Sequence, residues 1–271
     1  MSLFNENKGR QMSERQQNAA RKIRPGGFTL VELLVVISII SMLMSIMLPG
    51  LSRARELGKR VVCLNNMRQL TLAWYFYASD NDDSLCSPDT YWNNTPGSNH
   101  WVADGPALPS NNIGGTQTAI EDGILWLYTE RTIDLYKCKS DASGFLRSYS
   151  ISNTMGGYAY GRVRPFGTLS ISSPTKKTVF VDAASRTRWI DGSFRPIDIS
   201  SQTPMWRIEN GHNITARHTD GCNMSFADYH CEYRKWRDPR TVELANWEID
   251  AAAASDNNRD LERMVESLEG R

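Results

Sequence analysis

The feature that most constrains this chain is an apolar run of 21 residues between Phe28 and Leu48. Sixteen of its residues are apolar, and the polar exceptions are Thr29, Glu32, Ser38, Ser41 and Ser45. As a helix rising 1.5 Å per residue, the run extends about 31 Å, the thickness of a bilayer's hydrocarbon core. Because few helices in soluble cores are apolar on every face over so many turns, the run predicts a membrane-spanning helix.

The flanks of the run predict its orientation and a cleavage site. Residues 1–27 carry six basic and two acidic side chains, an excess of four positive charges that favours the cytoplasm. The rest of the chain is then expected on the periplasmic side of the inner membrane. A secretory signal peptide has its small residues after the apolar stretch, whereas here Gly26 and Gly27 precede it. Cleavage after Gly27 would remove the leader and leave the apolar helix as the new N-terminus.

Glu32 places a carboxylate inside the apolar run. A charged side chain at the centre of a membrane helix costs about 2.5–3.5 kcal/mol on insertion scales, so such a residue is a functional candidate. Cleavage after Gly27 would free the amine of Phe28, and this amine on one subunit would neutralise Glu32 on a neighbour. The alternative is that Glu32 reaches the lipid headgroups from the first turn of the helix.

The sequence G-F-T-L-V-E ahead of this apolar run resembles the class III signal of type IV pilins and type II secretion pseudopilins. The resemblance implies a prepilin peptidase that cuts after Gly27 and then N-methylates Phe28. It also implies that Glu32 serves in assembly and that Pro49 kinks the helix. The implied partners are this peptidase, other pseudopilin subunits, an inner-membrane assembly platform and the membrane itself.

Periodicity in the rest of the chain predicts an α+β fold. Apolar residues at steps of three and four continue the N-terminal helix to about Ser79: Leu57, Val61, Leu64, Met67, Leu70, Trp74 and Tyr77. Later runs predict strands at 148–152, 168–171, 178–182, 222–227 and 230–236. We therefore expect a long N-terminal helix packed on an antiparallel β-sheet, a pilin-like arrangement. The expected parts are the leader (1–27), the membrane helix (28–48), its amphipathic continuation (49–79), a globular domain (80–250) and a tail with a short amphipathic helix (251–271).

A second resemblance covers segments beyond the membrane helix. Residues 63–70, residues 136–141 and the block around His218 and Asp228 resemble pseudopilin-like proteins with an H-X9-DG motif, since nine residues separate this histidine from this aspartate. Tyr229 stands where the motif has glycine. A type I′ turn needs positive φ at both central residues, so Tyr229 predicts a turn of another type or a longer one.

Two groups of side chains suggest metal ligands. One contains zinc-type ligands: His212, His218, Asp228 and His230. Because no H-x-x-x-H or C-x-x-C spacing accompanies them, we expect no metal there and expect His218 and Asp228 to fix strand ends through backbone hydrogen bonds. The other group, Asp80 and Asp82, begins like a calcium loop but lacks the glycine and the closing glutamate, so calcium is a weak candidate and no other cofactor is expected.

Five cysteines in an exported domain predict disulfides with one thiol left over. In the expected hairpin Cys231 faces Phe226, and Cys222 lies about 13 Å further along the strand, too far to bridge. The preferred pair is Cys63 on the helix with Cys138.

Three functions remain open at this point. The first is a pseudopilin or pilin-like structural subunit of a type II secretion or type IV pilus-like system. The second is a membrane-tethered binding module for carbohydrate, with Trp92, Trp101 and Trp126 exposed to stack on sugar rings. The third is a tethered hydrolase that uses His218 and Asp228.

Enzymatic activity and nucleic-acid binding are not expected. The sequence contains no G-x-S-x-G nucleophile elbow and no P-loop. After removal of the leader the chain has 25 basic and 28 acidic residues, a net charge of about −3, which gives no basic face for nucleic acid.

Overall fold

A computed structural model describes residues 27–88, 99–102, 116–155, 167–185, 192–194, 205–206 and 212–270 of the chain. The chain divides into two compact units, Met1–Leu51 and Ser52–Arg271. The leader residue Gly26 and the tryptophan Trp92 lie outside the described residues, as does the side chain of His212.

Helix α1 extends from Leu30 to Asp80, which agrees with the end predicted near Ser79. Pro49 lies inside α1 and does not end it, and the predicted kink stays a prediction. Every residue from 27 to 55 is exposed. In the described part of the chain, α1 is the helix long and apolar enough to cross a membrane.

The second unit is built on a six-stranded sheet. Its strands are β1 (Tyr149–Ser152), β2 (Thr178–Ser185), β3 (Ser193–Phe194), β4 (His212–Ile214), β5 (Gly221–Phe226) and β6 (Cys231–Lys235). The strand order is β3-β1-β2-β5-β6, and β4 also pairs with β2. The pairs are antiparallel except β1 with β3, which are parallel, so the predicted antiparallel sheet is a mixed one.

Helices and short 3-10 turns connect and flank these strands. The α-helices after α1 are α2 (Gln117–Glu121), α4 (Pro239–Ala245) and α5 (Arg259–Glu269), and α3 (Arg217–Asp220) is a single turn whose last three residues have positive φ. The 3-10 helices are Ile124–Trp126, Ile133–Tyr136 and Thr168–Ser170. Helix α5 confirms the predicted amphipathic tail helix, and together these elements form an α+β fold consistent with a pilin-like architecture.

The second part of α1 packs its apolar side on the sheet. Met67, Leu70 and Trp74 are fully buried in one cluster with Tyr149 and Phe180. Fully burying a large apolar side chain stabilises the fold by about 1.5–3 kcal/mol. The predicted apolar face of α1 is therefore confirmed from Met67 onward.

The prediction that the buried apolar face of α1 begins at Leu57 is wrong. Leu57 and Val61 are 49% and 64% exposed. Burial on α1 begins at Cys63, and Asn66 is buried as well. The Asn66 amide donates hydrogen bonds to the carbonyl oxygens of Asp134 and Lys137, so a polar residue on the inner face is accommodated by a neighbouring segment.

The β5–β6 hairpin differs by one residue from its predicted register. Cys231 lies opposite Ser225, not Phe226, and the Phe226 N–H donates to the His230 carbonyl. The loop therefore has three residues, with a hydrogen bond of 2.9 Å from the Tyr229 N–H to the Phe226 carbonyl. Tyr229 adopts φ of 70°, the left-handed position that ends a three-residue loop of this kind. The longer turn expected from Tyr229 is thus confirmed.

The strand predicted at 168–171 is wrong, because this segment is the 3-10 helix Thr168–Ser170. The Asp83 carboxylate accepts the backbone N–H groups of Thr168 and Leu169 at 2.9 and 3.1 Å, together with the Thr168 hydroxyl. Gly167 permits this approach, since a Cβ there would lie 2.6 Å from the Asp83 carbonyl oxygen. The N–H groups that would extend a ladder are thereby bound to a side chain.

We expect the Asp83 contact to make stability depend on acid. The hydrogen bonds from Thr168 and Leu169 hold the pKa of Asp83 below its usual value. Its stabilisation is therefore fully present above the unfolded-state pKa of about 4 and is lost as pH falls through the lower folded-state pKa. Asp83→Ala should lower the urea midpoint of the full mature chain at pH 6. At pH 3 the difference between the midpoints of the variant and the wild type should be smaller.

A matched control for this measurement is Glu121→Gln on α2, where the carboxylate accepts from the exposed Gln117 side chain. It should shift the midpoint little at either pH, because exposed pairs of this spacing contribute a few tenths of a kcal/mol. An Asp83→Ala deficit that stays equal at pH 6 and pH 3 would contradict the acid dependence.

Candidate functional site

The first candidate site is the N-terminus of α1. The Thr29 N–H and hydroxyl donate to the Glu32 Oε2 at 2.9 and 2.8 Å, and the Glu32 N–H donates to the Thr29 hydroxyl oxygen at 3.2 Å. This reciprocal pair is a capping box, in which two side chains satisfy N–H groups that a helix start leaves without intrahelical partners. The T-x-x-E spacing that indicates a capping box is present in the sequence, but the cap was not predicted from it.

This contact gives Glu32 a role within its own chain. A carboxylate in the first turn is also stabilised by the positive end of the helix dipole. Both bonds use Oε2, and Gly27, Phe28 and Glu32 are all exposed. The residues predicted for cleavage, methylation and assembly therefore lie together on an accessible helix start.

The three serines in the apolar run bond to the backbone of α1. The hydroxyls of Ser38, Ser41 and Ser45 donate to carbonyl oxygens three or four residues earlier, at 2.6 to 2.8 Å. Polar groups need such internal partners in hydrocarbon, where no water replaces them. The hydroxyl groups at these three positions therefore have hydrogen-bond partners within the helix itself.

The second candidate site is a buried polar group in the unit Ser52–Arg271. We call it the Cys–His cluster, and its members are Glu56, Cys63, Cys138, Ser140, Asp182 and His218. Four separate parts of the chain supply them: α1, the segment after the 3-10 helix Ile133–Tyr136, β2 and α3. No local sequence spacing links these residues, which is why the sequence analysis did not find the cluster.

The sulfur and imidazole atoms of the cluster are in direct contact. The Cys63 and Cys138 Sγ atoms are 3.1 Å apart, and Cys138 Sγ lies 3.2 Å from His218 Nε2. The Lys139 N–H donates to the Cys63 sulfur at 3.1 Å. Among the described residues, Cys63, Cys138 and His218 form the group of three His, Cys, Asp or Glu side chains with converging ligand atoms, all within 4.8 Å.

The other imidazole nitrogen is also held. His218 Nδ1 lies 2.8 Å from the Glu56 Oε1, and the Ser140 hydroxyl donates to the same carboxylate oxygen. The His218 side chain is fully buried, whereas the Glu56 side chain is 27% exposed. The ring is thus oriented by a carboxylate at Nδ1 and presents Nε2 to the sulfurs.

The backbone that carries His218 is strained. His218, Thr219 and Asp220 have φ of 59°, 73° and 60° in succession. Positive φ is rare for residues other than glycine and costs most for a β-branched residue such as Thr219. The Tyr233 hydroxyl and the Trp236 N–H donate to the carbonyls of Thr219 and Asp220, and these bonds hold the turn.

Asp182 and Arg217 set the charge beside the cluster. Arg217 pairs with the Asp182 Oδ1 and, at 3.1 Å, with Asp141. Burial raises the pKa of Asp182 to about 6, against the opposing charges of Arg217 and His218. Burial likewise acts to lower the pKa of Arg217, but Asp182 and Asp141 raise it overall. The Asp182 Oδ2 is buried, has no hydrogen-bond partner among the described residues and lies 3.9 Å from His218 Nε2.

The structure separates His218 from Asp228. His218 contacts side chains of the Cys–His cluster, and not the strand-end backbone groups that were expected. Asp228 contacts the backbone and ring of His230 in the β5–β6 loop. Strand β5 lies between them, six residues or about 20 Å at 3.3 Å per residue. The two ends of the H-X9-DG-like block therefore serve different parts of the domain.

The predicted pairing of Cys63 with Cys138 stays a prediction. Both thiols are buried and free, and their separation of 3.1 Å exceeds the S–S bond length of about 2.05 Å. Cys222 lies opposite Arg234 and not beside Cys231, in agreement with the expectation that Cys222 and Cys231 do not bridge.

The residues Asp80 and Asp82 are exposed at the end of α1. Asp80 is the last residue of the helix, and Asp82 follows with φ of 54°. In the described part of the chain they share no group of three ligand side chains. Calcium at this turn stays a weak candidate.

The prediction that Trp101 is exposed is wrong. Trp101 is fully buried, its indole N–H donates to the Gly192 carbonyl at 3.0 Å, and its ring stacks on Tyr136. Trp126 is half-buried and packs against the same core. The buried Trp101 therefore offers no ring face for sugar stacking, whereas Trp126 keeps part of its surface exposed.

Comparison with protein-family models matched residues 24–48 to the prokaryotic N-terminal methylation motif. Comparison with curated proteins and with solved structures found no significant match. The matched segment contains Gly27, Phe28 and Glu32 and continues into α1. A methylation motif followed by a long apolar N-terminal helix fits a type IV pilin-like protein. The motif implies processing by a prepilin peptidase, assembly with other pilin subunits and a single-pass membrane anchor.

Proposed function

We propose that the protein is a structural subunit of a type II secretion or type IV pilus-like system, of the pseudopilin kind. It is held in the inner membrane by the first part of α1 and joins an assembly through the same helix. The observation that carries the proposal is the methylation motif at 24–48, which extends into the first part of α1, where the apolar side chains from Leu30 to Leu48 are exposed. Such a surface needs either lipid or neighbouring helices to cover it.

The proposed topology follows from the leader's charge. The six basic residues of the leader stay in the cytoplasm, and the domain beyond α1's membrane part lies in the periplasm. The prepilin peptidase meets Gly27 and Phe28 at the cytoplasmic edge of the membrane. Its products are the free leader and a mature chain with a methylated Phe28 amine.

The proposal assigns no catalysis to the domain. A hydrolase that uses His218 with Asp228 has little support, because these residues contact different parts of the chain. A carbohydrate-binding module has little support, because Trp101 is in the core. A structural role needs only a folded domain on a processed helix.

We expect the mature protein in native membranes to begin at methylated Phe28. The small residues precede the apolar run, and the charged leader lies on the cytoplasmic side, where this cleavage takes place. Mass spectrometry of the N-terminal peptide checks this. An intact Met1 terminus, or a start beyond Pro49, would contradict the proposal.

A pair of glycine variants controls for folding. Gly27→Val should abolish cleavage, whereas Gly58→Val in α1 should leave it complete. Both glycines have open space where a Cβ would be added, so neither substitution creates a clash. Equal processing of the two variants would remove Gly27 from the cleavage site.

A further inference from the structure

Three side chains of the Cys–His cluster direct metal-binding atoms at one another. Two cysteine sulfurs and an imidazole nitrogen are the preferred ligands of Zn²⁺, which is bound tetrahedrally at about 2.3 Å from sulfur and about 2.0–2.1 Å from nitrogen. Here Cys63 Sγ, Cys138 Sγ and His218 Nε2 are linked by contacts of 3.1 and 3.2 Å. All three side chains are buried, so no solvent competes for these atoms.

A fourth ligand atom is available and has no other function in the described chain. The Asp182 Oδ2 is fully buried and accepts no hydrogen bond from the described residues, a condition that is unfavourable for a polar atom and more so for a charged one. It lies 3.9 Å from His218 Nε2, the same nitrogen that Cys138 Sγ contacts at 3.2 Å. A cation bound between these atoms would satisfy this oxygen.

The surroundings hold the ligands as an outer shell does in metal sites. A ligating histidine almost always donates its second ring N–H to a carboxylate or carbonyl. In the cluster Glu56 occupies that position at His218 Nδ1, at 2.8 Å. The Lys139 N–H donates to the Cys63 sulfur, and Arg217 binds the other oxygen of Asp182.

A disulfide explains less of this arrangement. Bonding Cys63 to Cys138 would use the two sulfurs alone, and it would leave His218 Nε2 and the Asp182 Oδ2 with only the 3.9 Å contact between them. The same two thiols cannot be bonded to each other and to a metal ion at one time. The histidine and the orphaned oxygen therefore favour the metal.

We propose that Cys63, Cys138, His218 and Asp182 form a structural Zn²⁺ site. The ion replaces the two thiol protons, which leave to solvent, so the net charge of the buried cluster is unchanged. A tetrahedral ion needs its two sulfurs about 3.8 Å apart. The pair must therefore open from its present 3.1 Å when the ion enters. The site ties α1, the segment around Cys138, β2 and α3 together, and its binding energy adds to the folding energy of the domain.

The test uses the full mature chain, extracted from membranes in detergent and kept reduced. We expect one equivalent of zinc by inductively coupled plasma mass spectrometry. Exchange for Co²⁺ should give a near-ultraviolet thiolate-to-cobalt charge-transfer band and strong visible bands of a tetrahedral ion. The cobalt spectrum needs no variant, so it reports on the site even if a substitution prevents folding.

Variants then assign the ligands. Cys63→Ser, Cys138→Ser and His218→Gln should each lose the bound equivalent and the tetrahedral bands. Glu56→Gln should keep the site with about 10–100-fold weaker affinity, as expected for an outer-shell partner. Cys222→Ser is the matched control, since it removes another buried thiol, in β5, and should keep both zinc and spectrum.

Three results would overturn the proposal. One is wild-type protein that takes up no zinc and gives no charge-transfer band with Co²⁺ while its thiols remain free to alkylation. Another is a Cys63–Cys138 disulfide found by non-reducing peptide mapping of protein alkylated in the envelope, which would instead support the sequence-based pairing. The third is equal loss of metal in Cys222→Ser and Cys63→Ser.

Discussion

Replacing Glu32 with leucine should leave insertion and cleavage intact and abolish oligomers of the mature protein. The substitution removes a carboxylate from the apolar run, so membrane insertion should be at least as efficient as in wild type. Cleavage should survive, because it depends on Gly27 and the charged leader. Assembly should fail, because the Phe28 amine of a neighbouring subunit then lacks its counter-charge. Crosslinking in native membranes measures the oligomers, and N-terminal mass spectrometry measures cleavage.

The capping box requires a second variant, because Glu32→Leu removes both the charge and the cap. Glutamine at this position can still bond the Thr29 N–H and hydroxyl, since Glu and Gln both complete a capping box. Glu32→Gln should therefore keep the helix start and still fail to assemble. If Glu32→Gln assembles like wild type while Glu32→Leu does not, the helix cap is the cause and the charge pairing is wrong. Equal oligomer ladders for all three proteins would favour a tethered module that does not polymerise.

Replacing Arg217 with methionine should destabilise the domain by about 3–5 kcal/mol, the cost of breaking a buried ion pair from one side. The arginine is the shared partner of two buried carboxylates, Asp141 and Asp182. Methionine fills similar space but leaves Asp182 without its cation and Asp141 with Lys137 as its remaining one, at 3.1 Å. Urea denaturation of the full mature chain at neutral pH, followed by tryptophan fluorescence, measures the loss.

Arg240→Met is the matched control for this experiment. Arg240 pairs with Asp238 at 2.7 Å, but the arginine side chain is 36% exposed. Surface pairs contribute about 0–1 kcal/mol, so this variant should shift the midpoint little. A loss below 1 kcal/mol for Arg217→Met would show that the buried carboxylates do not depend on Arg217.

The long N-terminal helix was predictable because local pattern alone determines it. A long helix of this kind needs only a sufficiently long apolar run, and α1 begins at Leu30, two residues after the start of the apolar run, and continues to Asp80. The continuation was predicted well where the sheet covers it, from Met67 onward. Leu57 and Val61 fit the same periodicity and are exposed, because a helical repeat does not reveal where a partner surface begins.

The errors in the sheet have local physical causes. The segment at 168–171 has the composition of a strand, but a carboxylate from a distant turn, Asp83, binds its N–H groups. The two-residue strand β3 is too short for alternation to show. The predicted hairpin register was wrong by one residue, because the loop has three residues, with Tyr229 at positive φ, and not the two residues of a tight turn.

The Cys–His cluster was only partly visible in the sequence. The resemblance singled out His218, and Cys63 with Cys138 was the preferred cysteine pair, but the three were never connected. Asp182 was interpreted as the last residue of an apolar strand, T-V-F-V-D. An aspartate in such a strand is expected to be buried, and this expectation was the available indication of a polar site. Residues that meet only through the tertiary fold have no common spacing to detect.

Leaving the membrane is energetically costly for this protein, because the apolar surface of the first part of α1 would be exposed to water. In the described part of the chain, the apolar side chains between Leu30 and Leu48 are exposed. A chain released into water would leave them exposed to solvent, so we expect a subunit of the proposed assembly to pass directly from lipid to neighbouring helices. Lipid tails and neighbouring helices cover such side chains about equally well. The hydrophobic free energy therefore changes little when a helix exchanges lipid contacts for contacts with other helices. With Ser38 and Ser41 bonded to their own helix, we expect the axial position of adjacent subunits in the proposed assembly to depend on Glu32, near the start of α1.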